Sequence, residues 1–170
     1  VIRQMIKEDM FAIMAIEKKL DSPDVWEEKD FYRFLNRKAK EAMVLVREKP
    51  LGKQNKSGLI QEEVIGYALS MVLPKNVRLY HLVIKPGYRR RKLGTMLFER
   101  VEMVARSYGK EAVCVVLRES NLTGHLFCKH NKLRWVRTNK GERGFKCPPE
   151  DAYYFTKKKE VISGTETQPD

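Results

Sequence analysis

The stretch Leu82-Val83-Ile84-Lys85-Pro86-Gly87-Tyr88-Arg89-Arg90-Arg91-Lys92-Leu93-Gly94-Thr95 constrains the fold of this chain more than any other. An apolar run is cut by Pro86-Gly87 and passes a basic segment. It then resumes at Leu93, Met96, Leu97, Val101 and Val104 with the spacing of one helix face. Proline cannot donate to a strand ladder, and the recurring three- and four-residue intervals require a helix, so the segment reads as strand, turn, helix. Such a turn gathers unpaired amides, the positive end of a helix dipole and the cations Arg89, Arg90, Arg91 and Lys92, a seat suited to a pyrophosphate. The same residues also describe an ordinary strand-to-helix turn with a solvated basic run, or a nucleic-acid patch of the Tyr88-Arg89-Arg90-Arg91-Lys92 kind.

The flanking sequence sets this unit inside an α/β arrangement. Residues 6–20 and 26–42 carry apolar stripes at helical spacing, separated by Ser22-Pro23-Asp24. Residues 42–47 and 64–73 are β-branched or strongly apolar and read as a hairpin with a long loop between them. A third strand covers 77–85, and a helix covers 92–108, with Gly109 as its C-cap. Residues 111–117 form a nearly continuous apolar strand, the pattern of a strand covered on both faces. Strand, helix and strand imply a right-handed parallel crossover. Residues 121–130 read as a short helix capped by Ser120 or Asn121, and 133–138 and 152–157 as the last strands. Residues 1–158 are expected to form one domain and 159–170 a disordered polar tail.

Composition bounds the function. The 170 residues suit one domain and hence one active site, and no apolar run approaches a membrane span. The start shows no apolar signal-peptide core, so a cytoplasmic protein is the expectation. Cys114, Cys128 and Cys147 are scattered, without the spacing of a zinc site, and read as free thiols; no metal is expected. A formal charge of +12 favours polyanionic partners: nucleic acid, a ribosome, an acidic membrane surface or a phosphate-bearing cofactor.

Three separate motifs resemble the GNAT superfamily of N-acetyltransferases. Ile84, Pro86, Tyr88, Arg89 and Gly94 match its cofactor motif V-x-P-x-Y-[RQ]-x-x-G-x-G. Leu117-Arg118-Glu119-Ser120-Asn121 resembles the V-R-x-S-N of its ribosomal-protein alanine and protein N-terminal acetyltransferase branches, and Glu150-Asp151-Ala152 resembles the E-D-A that opens their last strand. Ile13-Met14-Ala15-Ile16-Glu17 and Trp26-Glu27-Glu28-Lys29-Asp30-Phe31 are similar to early segments of the same branches. The resemblance implies an acyl-CoA N-acyltransferase fold, a mixed central sheet flanked by helices, with acetyl-CoA as cosubstrate. Backbone groups of Leu82, Val83 and Ile84 would pair with the pantetheine arm as an added strand. The amides of Arg90, Arg91, Lys92, Leu93, Gly94 and Thr95 would hold the pyrophosphate, beside Arg89, and the Asn121 side chain would bond the pantetheine.

The chain departs from the family pattern at several positions. Lys92 stands where the motif has its first glycine. Amine attack on a thioester needs a neutral amine and a proton for the leaving thiolate. The resemblance places the family's base and acid at Val116 and Cys128. Valine transfers no proton, whereas the Cys128 thiol is able to; His125, one helical turn earlier, and His81 in the third strand are further relay candidates. Arg143-Gly144-Phe145 replaces a tyrosine pair on the substrate side, and basic loops at 49–56 and 140–146 suit an acidic or nucleic-acid-bound acceptor. The expected activity is acetyl transfer to a primary amine, a protein N-terminus or lysine. The alternatives are a catalytically impaired acetyl-CoA-binding module and a ribosome- or nucleic-acid-binding domain using the basic surface.

Overall fold

A computed structural model describes residues 1–20, 22–50, 60–142 and 150–158. Its seven strands form one mixed sheet in the order β1-β2-β3-β4-β5-β7-β6. The strands are β1 (Ile2–Gln4), β2 (Lys40–Pro50), β3 (Ile60–Val72), β4 (Asn76–Ile84), β5 (Ala112–Arg118), β6 (Arg134–Glu142) and β7 (Glu150–Lys158). Four helices flank them: α1 (Met10–Glu17), α2 (Glu28–Leu35), α3 (Leu93–Ser107) and α4 (Leu122–His130). The β2–β3 hairpin and the parallel β4–β5 pair bridged by α3 agree with the sequence pattern.

Several boundaries differ from expectation, each for a local reason. β1, three residues long, is too short to show a period, yet it pairs antiparallel with β2. The first helix is preceded by a single 3-10 turn, Lys7–Asp9, because the Asp9 carboxylate accepts the Ile6 amide at 2.8 Å and redirects the chain. α2 stops at Leu35, not near residue 42. Ala39 takes a positive φ of 58° and its carbonyl accepts the Val72 amide, so the following residues join the sheet. β7 lies between β5 and β6, an insertion that no local pattern encodes. The expectations for 159–170, for Arg143-Gly144-Phe145 and Cys147, and for most of the two basic loops lie outside the described residues.

The two faces of the sheet bury separate apolar layers. On one, α3 and α4 bring Leu97, Phe98, Val101 and Cys128 against Ala68, Val77, Leu79, Ile84 and Val115. On the other, α1 and α2 bring Ile13, Ile16, Phe31 and Phe34 against Val44, Tyr67 and Leu69. Among the described residues no helix is long and apolar enough to cross a membrane.

Candidate active site

The site begins where two parallel strands part. β4 pairs with β5 only from Asn76–Ala112 to Leu79–Val115, and beyond Val115 the strand β5 continues alone against β7. The break coincides with a β-bulge in β4: Leu69 of β3 faces His81 while its neighbour Ser70 faces Leu79, leaving Tyr80 as the extra residue. A bulge ends regular pairing and reverses which side chains face each side. Past it, Leu82 and Ile84 join the α3 layer, whereas Val83 joins the α1–α2 layer.

Backbone direction sorts the three strand residues singled out by sequence. Lys85 donates its N–H to Ile65 of β3 at 2.9 Å, and the Val83 carbonyl would lie 2.8 Å from a Cβ on Gly66. Odd-numbered residues here therefore turn their backbone groups to β3, and Leu82 and Ile84 turn theirs to the gap left by β5. Val83 is thereby removed from the open edge by strand alternation. The Ile84 carbonyl accepts Arg89 Nε at 3.1 Å.

The turn after β4 presents amides. Pro86–Tyr88 form a 3-10 turn, Arg90 and Lys92 adopt positive φ of 63° and 61°, and α3 begins at Leu93. Its first intrahelical bond is donated by Met96 to the Lys92 carbonyl at 3.1 Å. The amides of Leu93, Gly94 and Thr95 precede that bond, and those of Arg90, Arg91 and Lys92 make no backbone bond among the described residues. Lys92 is exposed, and its left-handed backbone is the conformation glycine adopts without cost. Gly94 packs closely: a Cβ there would meet Phe127 at 3.3 Å and Leu82 at 3.6 Å.

Tyr88 anchors the turn. Its ring lies beneath Arg47, Lys85 and Arg91, with cation-to-centroid distances of 5.1, 5.6 and 5.6 Å. Its hydroxyl donates to Glu63 at 3.1 Å. Glu63 also pairs with Lys85 and Arg47, and these contacts, Lys85 foremost, hold its carboxyl down at about 2.

Helix α4 closes the gap from the β5 side. Asn121 caps it, its Oδ1 accepting the Gly124 amide at 2.8 Å. The amide nitrogen of the same side chain keeps its two donors for other partners. His125 donates Nε2–H to the Arg118 carbonyl at 2.9 Å, since a carbonyl only accepts, and packs edge-on to Tyr153 and Phe155. Cys128 is fully buried in the α3 layer, and burial pushes its thiol up to about 12. Val116 sits half-buried in β5 opposite Tyr154.

Two polar groupings were not foreseen as groupings, although Glu17, Trp26, Arg118 and Glu150 each lie in a segment that resembles the family. Glu17 is fully buried. It accepts the Tyr67 hydroxyl in a very short contact and the Trp26 amide at 2.7 Å. Tyr67 Oη lies 3.3 Å from His81 Nδ1, and the Trp26 ring covers His81 at 4.4 Å. Arg118, 2% exposed, pairs with Asp24 and Glu150 and ties the α1–α2 connection to β5 and β7.

The acetyltransferase (GNAT) family matches residues 10–130. No curated protein shows significant sequence similarity. Solved structures share the fold. The ribosomal-protein-S18-alanine N-acetyltransferase from Escherichia coli has a TM-score of 0.72 at 16% identity, covering 97% of each chain. Arabidopsis thaliana NAA60 in complex with acetyl-CoA has a TM-score of 0.69 at 17% identity, covering 93% of this chain and 97% of that one. Ard1 from Thermoplasma volcanium has a TM-score of 0.72 at 14% identity, covering 93% and 96%. With residues 10–130 of its 170 matched by the family pattern, the chain belongs to the acetyltransferase (GNAT) family.

Proposed function

We propose that this protein is an acetyl-CoA-dependent N-acetyltransferase acting on a primary amine of a protein or peptide, an N-terminus or a lysine, in the cytoplasm. The observation that carries the reading is the parting of β4 from β5 beside a turn of unpaired amides. An open strand edge matches the amide-bearing pantetheine arm, and a helix N-terminus with cations matches a pyrophosphate.

In this reading the backbone groups of Leu82 and Ile84 hold the pantetheine, and the Asn121 side-chain amide donates to it. The amides of Arg90 through Thr95 take the pyrophosphate, with Arg90 and Arg91 supplying charge. Acetyl-CoA supplies a thioester whose carbonyl accepts the amine nitrogen. The chain positions the amine against it and manages one proton. His125 is held in one tautomer by the Arg118 carbonyl, which leaves Nδ1 as its proton acceptor. Cys128 serves as proton donor only if the layer around it opens, because its buried thiol holds its proton to about pH 12.

Two measurements test the reading. Isothermal titration with acetyl-CoA should show binding that an Arg90→Ala/Arg91→Ala double variant weakens about tenfold or more. Incubation with a peptide panel should release free thiol. Binding without transfer to any amine would instead favour an acetyl-CoA-binding module without chemistry, the reading that Val116 and the sealed Cys128 support. In that case Val116→Glu, which restores a carboxylate at the family's base position, would separate a degraded enzyme from a binding protein.

A further inference from the structure

The two faces of the strand gap are not alike. On the α3 side it is packed: a Cβ on Gly94 would meet Phe127 of α4 at 3.3 Å, Leu82 at 3.6 Å and Ile84 at 3.8 Å. On the other side α1 and α2 cover β2, β3 and β4, and among the described residues their apolar layer contains none from β5, β6 or β7. A molecule that meets an acyl donor in the gap therefore arrives over the α1–α2 face of β5, β7 and β6.

Alternation fixes what that face displays. Val115, Leu117 and Phe155 belong to the α3 layer, so Val116 and Tyr154 turn to the other side, and Arg137 follows as the partner of Tyr154. The three form one row across the sheet. Val116 is the first β5 residue past the last pair with β4, Tyr154 comes next, and Arg137 stands on the edge strand. The Arg137 guanidinium lies over the Tyr154 ring, 4.3 Å from its centroid, and the Tyr154 hydroxyl accepts Asn139 Nδ2 at 3.3 Å. Val116 and Tyr154 are half-buried, whereas Arg137 is exposed.

Charge on this face is unbalanced. Asp24 and Glu150 lie at one end of it, and buried Arg118 takes both carboxylates. Arg137 has no carboxylate partner among the described residues. A guanidinium seated over a ring keeps N–H groups at its rim, and their forked geometry suits a carboxylate. Strands stand about 4.8 Å apart, so Arg137 is rooted about 10 Å from Val116, and by lying over Tyr154 its head returns part of that distance. An extended peptide advances about 3.3 Å per residue. With a terminal amine at the gap, a carboxylate over Tyr154 then belongs to the second or third residue. Arg134 offers a contrast: it shares the face but stands opposite Thr156 and Cys114, where β5 is still paired with β4.

We infer that Arg137, seated over Tyr154, is a specificity-determining residue that selects acceptor peptides with a carboxylate at the second or third residue from the terminal amine. The inference rests on the acetyltransferase reading and adds the substrate class.

The test uses peptides beginning with Ala, Ser or Met, with Glu at the second and third positions, against the same peptides with Gln or Lys there. Titrated into protein with saturating CoA, which transfers nothing, the Glu peptides should bind at least about tenfold more tightly than the Gln peptides. In thiol-release assays with acetyl-CoA the same preference should appear in KM. Arg137→Gln should reduce it below threefold, Arg137→Glu should shift it to the Lys peptides, and Arg134→Gln, which removes an equal charge, should keep it. Equal or undetectable binding of the Glu and Gln peptides by wild-type protein overturns the seat. So does an Arg134→Gln variant that loses the preference as fully as Arg137→Gln, since the effect would then be one of general charge. Wild-type protein that discriminates the peptides in titration but acetylates none refutes the enzyme reading and leaves the carboxylate seat standing.

Discussion

Lys92→Gly tests the turn through its backbone. Lys92 sits at φ 61°, ψ 4°, where a Cβ crowds the next carbonyl at a cost of about 1–2 kcal/mol. Glycine removes that cost but returns about 0.4–1 kcal/mol through the greater freedom of the unfolded chain. The balance is a gain of about 0.8 kcal/mol, or about 2–3 °C in Tm for a chain of this size. Lys92→Ala is the matched control. It discards the same charge beside Arg90 and Arg91 but keeps the Cβ, so the glycine variant should unfold at the higher temperature by calorimetry. The pair also separates charge from approach in ligand binding: with phosphate lying against these amides, the glycine variant should bind acetyl-CoA more tightly than the alanine variant. Equal melting temperatures would refute the strain assigned to Lys92, and equal affinities would refute close approach of phosphate to its amide.

Three further outcomes follow from buried and paired groups. Burial holds the Cys128 thiol at about 12, above its unfolded value of about 8.5. Its contribution to stability is intact below that unfolded value and declines at up to about 1.4 kcal/mol per pH unit as pH rises toward 12; Cys128→Ala should flatten the alkaline limb in urea titrations at pH 8 to 10. Glu63 behaves oppositely, since its carboxyl is held at about 2 and its contribution is present above the usual range and lost as pH falls toward 2. Glu63→Gln should therefore reduce the acid loss between pH 5 and 2 by about 1 kcal/mol, discounted for partial solvation. Arg118→Met strips the cation from Asp24 and Glu150 and should lower unfolding stability by about 3 kcal/mol, read as a shifted urea midpoint.

The fold was legible wherever a local period carried the signal. The hairpin, the β4–α3–β5 unit and the α4 cap each follow from residues adjacent in sequence. Non-local facts were hidden. The insertion of β7 between β5 and β6 depends on partners 30 or more residues apart, as Val115 opposite Phe155 illustrates. The end of α2 depends on Ala39 bonding Val72, while residues 36–39 contain no glycine or proline to announce a stop. Within the site, the amide-rich turn was readable because Pro86, Gly94 and the basic run are contiguous. The Glu17, Tyr67 and His81 grouping was not, because its members sit on three elements: His81 stood out only as a lone relay candidate and Glu17 only as the end of a family-like segment.

A single extra residue in β4 joins these observations. Val77 and Leu79 face the α3 layer, and uninterrupted alternation would send His81 there too, among aliphatic side chains and away from Glu17. Tyr80 breaks the alternation, so His81 joins Tyr67 on the α1–α2 side while Leu82 and Ile84 turn apolar side chains toward α3 and backbone groups toward the gap. The same residue stops pairing with β5 after Leu79. One bulge thus leaves a strand edge open beyond Leu79 and sets the His81 imidazole on the opposite layer. Deleting Tyr80 would restore the register and still leave His81 on the α1–α2 side, because it would then follow Leu79 directly, with Leu82 and Ile84 toward α3 as before. Such a deletion therefore leaves both layers intact and tests the gap alone: if the parted edge seats acetyl-CoA, the variant should lose affinity for it in isothermal titration.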